Sequence, residues 1–102
     1  MGGLAVRRLS LDASLSLNPE VVSREVEGEV VLLDLERATY FGLNHVGSRV
    51  WTLVGELGSL RKVCETMERE YAVPREQLER DVLSLARELR DKGLLVVTRE
   101  GP

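Results

Sequence analysis

The apolar residues of this chain change period at Asn44. Before it they run in short β-branched or alternating stretches of period 2. After it they recur at i, i+3, i+4 and i+7. Such a chain is predicted to form a sheet first and a set of helices afterwards. Val21–Val26 reads as a strand between Pro19 and Gly28, with Glu27-Gly28 as the turn. Glu29–Leu35 reads as the second strand, with Val31, Leu33 and Leu35 on one face and Val30, Leu32 and Asp34 on the other. Both faces are largely apolar, so both are expected to be covered. Glu36-Arg37-Ala38 is a polar connection, and Thr39–Leu43 is a short aromatic third strand.

Asn44 has the chemistry of a helix N-cap. The first helix carries Val46, Val50, Trp51 and Val54, extended by Leu53 and Leu57, and ends at Gly55 and Gly58. Ser59 caps a second helix with the stripe Leu60, Val63, Cys64, Met67 and Tyr71. Pro74 opens a third, where its missing N–H costs nothing. Its stripe is Leu78, Val82, Leu85 and Leu89, and Gly93 stops it. The predicted strands are 21–27, 29–35 and 39–43, and the predicted helices 45–57, 59–72 and 75–92. Leu94–Thr98 is a last short strand. The class is α+β: a three-stranded antiparallel sheet followed by three helices, on a winged helix-turn-helix plan.

The 102 residues make one domain. Residues 1–19 read as an N-terminal arm and a candidate for flexibility, ahead of a domain at 20–98 and a polar tail at 99–102. In the arm Leu9, Leu11, Leu15 and Leu17 alternate with Ser10, Asp12, Ser14 and Ser16. That spacing fits an extra strand or an extended segment lying on the domain, while the low complexity favours partial disorder.

Charge and composition exclude several functions. Lys+Arg 14 against Asp+Glu 17 leaves a net charge of −3, which weighs against a nucleic-acid binder. On the third helix Arg75, Arg80, Arg87, Arg90 and Lys92 are balanced by Glu76, Glu79, Asp81, Glu88 and Asp91. The one cysteine, Cys64, lies in an apolar stripe and reads as a small buried hydrophobe. The one histidine, His45, has no partner at metal-ligand spacing and reads as solvated or capping. No P-loop, GxGxxG or Ser/His/Asp arrangement is present. No catalytic residue, metal site or cofactor is expected. No apolar run approaches the roughly 20 residues of a membrane span, and the N-terminus does not read as a signal peptide, so a cytoplasmic protein is expected.

Two features point to peptide binding. The third strand, Thr39, Tyr40, Phe41, Gly42 and Leu43, would be a sheet edge and carries no charge and no proline to block pairing. On the third helix Leu83 falls about 130° from the centre of the stripe, with Ala86 between, so the apolar face is wider than one core contact needs. An open edge beside a spare apolar flank makes a groove for an extended peptide.

The stretch from Val31 to Trp51, VLLDLERATYFGLNHVGSRVW, resembles the PqqD-like family, the precursor-recognition elements of pathways that modify ribosomally made peptides. Tyr71-Ala72-Val73, Arg80-Asp81-Val82 and Leu89–Leu95 agree, and the resemblance covers about residues 20–97. It is most similar to the stand-alone versions of lasso peptide clusters. The resemblance implies a domain that binds the leader of a precursor peptide and does no chemistry itself. The leader would add as a strand beside Thr39, Tyr40, Phe41, Gly42 and Leu43. It would pack on Val82, Leu83 and Ala86, with Glu79 and Arg90 tuning its register. The implied partners are that leader, a leader peptidase and a macrocyclase, with no nucleic acid and no membrane. The alternatives are a PqqD-type peptide chaperone in quinone cofactor biosynthesis and a winged-helix DNA-binding regulator. Many relatives carry Gly where this chain has Ala38.

Overall fold

Tight turns position the sheet. In the computed structural model, which describes residues 9–101, strands β2 (Val21–Val26) and β3 (Glu29–Asp34) pair antiparallel, with Val22 opposite Leu33 and Val26 opposite Glu29. Glu27 and Gly28 join them with φ of +54° and +83°. Two left-handed residues in a two-residue hairpin loop match the right-handed twist of the strands. Strand β4 (Thr39–Gly42) adds to the other side of β3, giving the order β2-β3-β4.

Helices α1 (His45–Leu57), α2 (Leu60–Glu70) and α3 (Arg75–Asp91) follow. Asn44, Gly58, Ser59 and Gly93 stand at the helix ends read from the sequence, whereas Gly55 lies inside α1 and Pro74 is the N-cap of α3 rather than its first helical residue. The Asn44 side chain accepts from the Gly47 N–H at 2.8 Å, and Ser59 Oγ accepts from the Lys62 N–H at 3.3 Å. Gly58 closes α1 at φ +67°, its N–H donating to the Val54 carbonyl. Gly93, at φ +76°, turns the chain out of α3. The core lies between the three helices and one face of the sheet; Leu32, Leu60, Val63, Cys64, Met67 and Leu89 have no exposed surface.

Two expectations change. Of the segment read as an arm, residues 9–19 pack with the domain, and part of them takes the extra-strand alternative. Ser14–Leu17 is strand β1, paired antiparallel with β5 (Leu95–Arg99), with Leu15 opposite Val97 and Leu17 opposite Leu95. Leu9, Ala13 and Leu15 are buried in the core. The strand leaving α3 would otherwise expose unpaired main chain, and β1 supplies its partner. Residues 1–8 of the expected arm lie outside the described residues. Second, the helices cover one face of β3 only. Val30, Leu32 and Asp34 are buried, whereas Val31 and Leu33 are half-buried and Leu35 is exposed.

Cys64 is buried, and His45 is exposed with Nε2 3.8 Å from a Glu29 carboxylate oxygen. Among the described residues no helix is long and apolar enough to cross a membrane.

Candidate functional site: an open strand edge beside a groove

The ladder between β3 and β4 decides which main-chain groups of β4 are free to bond outward. The Leu43 N–H donates to the Val30 carbonyl at 2.8 Å, and the pairing continues through Leu32 opposite Phe41 and Leu33 opposite Tyr40. In an antiparallel pair, bonded and non-bonded positions alternate. With Val30 and Leu43 as a bonded position, Phe41 and Thr39 direct their N–H and C=O toward β3. Tyr40 and Gly42 direct theirs toward the open edge. Side chains alternate the other way across the sheet: Phe41 and Leu43 face the helices, and Tyr40 faces outward, 77% exposed.

The far end of β4 is tied to α1 by a buried hydroxyl. Ser48 Oγ accepts from the Val30 N–H at 2.7 Å and donates to the Leu43 carbonyl at 3.2 Å. The near end is tied to α3. Asp34, buried beneath the β3–β4 turn, accepts from the N–H groups of Glu36 and Arg37. Arg37 Nη1 then donates to the Lys92 carbonyl at 2.8 Å.

Between these two ties runs a groove of three joined hollows. The first, about 280 Å³, lies at the start of β4 and includes Arg37, Thr39, Phe41 and Lys92 in its lining. The second, about 290 Å³, continues from Phe41 past Leu43 to Val46 and Leu85. The third, about 190 Å³, begins at Val46 and Leu85 and runs between α1 and α3 past Tyr71, Gln77 and Asp81. Phe41 is shared by the first two, and Val46 and Leu85 by the last two. The middle is apolar, the Thr39 end carries two cations, and the far end carries Asp81. The Lys92 ammonium stands 5.4 Å from the centroid of the Phe41 ring.

Thr39, Tyr40, Phe41, Gly42 and Leu43 all lie along this groove or its edge, as the sequence suggested. Val82 is buried and reaches the third hollow, while Ala86 is fully interior. Glu79, Leu83 and Arg90 are not on the groove. Leu83 stands about 100° to one side of Val82 around α3, whereas Leu85 and Asp81 stand about 60° and 100° to the other. On the Leu83 side the Glu79 carboxylate accepts from Arg75 Nε at 2.8 Å, and Arg75 also bridges to Glu68 of α2. Arg90 pairs with Asp91, and Leu83 packs half-buried against the core. The groove wall is instead the row Gln77, Asp81 and Leu85, at i, i+4 and i+8, continued by Lys92. Sequence reasoning missed this row because the core stripe has two flanks. In the sequence Leu85 is part of the stripe itself.

Among the described residues no group of three His, Cys, Asp or Glu side chains could hold a metal ion. What the site offers is unpaired main chain, apolar hollows and a charge at each end.

Residues 29–95 match the family model described as coenzyme PQQ synthesis protein D. Two solved structures share the fold. One, TbiB1 in complex with the TbiA(beta) leader peptide, is 41% identical with a TM-score of 0.75, over 78% of this chain and 93% of that one. The other, lasso peptide synthetase B1 complexed with the leader peptide, is 27% identical with a TM-score of 0.75, over 82% of this chain and 99% of that one. No curated protein matches the chain.

Proposed function

The chain belongs to the PqqD family, and from that premise we propose that it is a non-catalytic adaptor of lasso peptide biosynthesis. It binds the leader of a ribosomally made precursor peptide and delivers it to a leader peptidase and, through it, to a macrocyclase. The observation that carries this reading is the outward-facing main chain of Tyr40 and Gly42 beside the apolar groove. An extended peptide pairs with those groups for affinity and sets alternate side chains into the hollows for specificity. The two similar structures, each described as a leader-peptide complex, support the same partner.

A strand held by a few main-chain bonds and two or three hollows reaches about micromolar Kd, about −8 kcal/mol. Holding the precursor beside its peptidase then raises the local concentration of the cleavage site to roughly millimolar. Specificity resides in the leader, so the remainder of the precursor is free to vary. The outer face of the sheet is left for the enzyme partner: Val22, Val26, Leu35 and Tyr40 form an exposed apolar surface of a kind that soluble domains reserve for association. Titration of the chain with the TbiA(beta) leader peptide tests the reading. Saturable binding with amide shifts confined to β4 and the groove side of α3 is expected; shifts centred elsewhere would overturn strand addition.

A further inference from the structure

We propose that the hollow at the start of β4 reads an acidic side chain of the bound peptide, and so fixes the peptide's direction and register. This rests on the leader-binding reading above and adds the chemistry of one position. The lining brings two cations together, Arg37 and Lys92, beside the Thr39 hydroxyl. The carboxylate beneath them, Asp34, is 5% exposed and already accepts two main-chain N–H bonds of the turn at 3.1 and 3.2 Å. Its remaining oxygen lies 3.8 Å from Arg37 Nε. The hollow therefore keeps an excess of positive charge. The carbonyl end of α3, which would repel an anion, is covered by Arg37. Its Nη1 bonds the Lys92 carbonyl, and the guanidinium lies so close to Gly93 that a Cβ there would sit 2.9 Å from Nη1. Lys92 offers its ammonium from above the Phe41 ring and has three donors to give.

The ladder converts this into a sequence pattern. A peptide added antiparallel to β4 bonds to Tyr40 and Gly42. Its residues opposite Leu43, Phe41 and Thr39 then turn their side chains into the groove. The first two meet the apolar hollow of Phe41, Leu43, Val46 and Leu85. The third, nearest the peptide's C-terminus, meets Arg37 and Lys92. The pattern is apolar-x-apolar-x-Asp/Glu. Reversing the peptide would bring its acid opposite Leu43, into the hollow of Phe41, Leu43, Val46 and Leu85, whose lining holds no cation to receive it.

A random dodecapeptide display library panned against the full chain tests this. Wild type is expected to select the apolar-x-apolar-x-Asp/Glu pattern, with acid preferred over lysine at that position by at least tenfold in Kd, about 1.4 kcal/mol. Lys92→Glu, at an exposed helix end, should keep the apolar pair and replace the acid by Lys or Arg. Lys92→Met, which retains contact with Phe41, should keep the pair and lose the preference. Selected peptides that carry the apolar pair without an acid, or whose acid survives Lys92→Glu, overturn the acid-reading hollow and leave the groove intact. Selected peptides that bind Tyr40→Pro as well as wild type overturn strand addition, and the acid-reading hollow with it.

Discussion

Arg37 donates from Nη1 to the Lys92 carbonyl across 2.8 Å, joining the turn before β4 to the C-terminus of α3. The two partners are 55 positions apart in the chain, and between them they set one end of the groove. Ser48 does the same at the other end by bridging Val30 and Leu43. A groove whose walls are tied at both ends loses little freedom when a peptide enters, and preorganisation of this kind raises affinity without adding contacts.

Removing the Arg37 tie should therefore weaken peptide binding through groove width. Arg37→Lys keeps a charge but loses the fork that reaches both Asp34 and Lys92. A leader titration is expected to show a several-fold weaker Kd, with about 1 kcal/mol lost in a chemical melt. Unchanged affinity would mean that the clamp does not set the groove.

Proline placed at neighbouring positions of β4 should separate binding from folding. Tyr40→Pro removes an outward N–H, so the domain should fold and bind leader poorly. Phe41→Pro removes an N–H bonded to β3, so the melt should drop further than for Phe41→Ala. Calorimetric titration and thermal melts on both pairs, with Tyr40→Ala as the matched control, read the difference. A larger stability loss for Tyr40→Pro would invert the ladder phase argued from Leu43 and Val30.

The two flanks of α3 should respond differently to charge. Leu85→Asp puts a carboxylate into the apolar middle of the groove and is expected to weaken leader binding at least tenfold, about 1.4 kcal/mol. Leu83→Asp, on the side facing away, should lower the melting temperature somewhat because Leu83 packs on the core, yet leave Kd within about twofold. The reverse pattern would move the peptide to the other flank.

Ala38 holds φ +54° in the turn before β4. A Cβ in the left-handed region costs roughly 1–2 kcal/mol, partly offset by the greater unfolded-state entropy of glycine. Ala38→Gly should thus stabilise the domain by about 0.5–1 kcal/mol with no loss of leader affinity. A chemical melt that shows destabilisation would count against this turn geometry.

Arg49 and Glu70 form a paired bridge from α1 to the end of α2, with contacts of 2.9 and 2.6 Å. The hydrogen bonds from Arg49 hold the Glu70 carboxyl below the ordinary range, against the opposing effect of burial. A depressed carboxyl stabilises the fold above its unfolded value and loses that contribution as pH falls through its folded value. The pair is partly exposed, so its worth is about 0.2–1 kcal/mol. Wild type should exceed Arg49→Gln by that amount near neutrality. The gap should close on acidification below the usual carboxylate range, and a gap independent of pH would remove Glu70 as its source.

The elements were legible because each rests on neighbours in the chain. The change of period at Asn44, the caps Asn44 and Ser59, and the stops at Gly58 and Gly93 are local signals, and the helices and the β2-β3-β4 order follow them. The edge at Tyr40 was legible too, since a third strand in a meander is an edge whatever packs on it. Other features depend on remote partners. Ser14–Leu17 is a strand because β5, some eighty residues later, needs one. Leu35 is exposed because the helices cover a single face of the sheet. The hollows beside β4 are lined by Leu85 and Asp81 and not by Leu83, because α2 takes the other side of α3, through Arg75 and Glu68. Periodicity measures the width of an apolar face about a helix axis. The direction that each flank faces is set by the rotation of one packed element against another, which no single helix encodes.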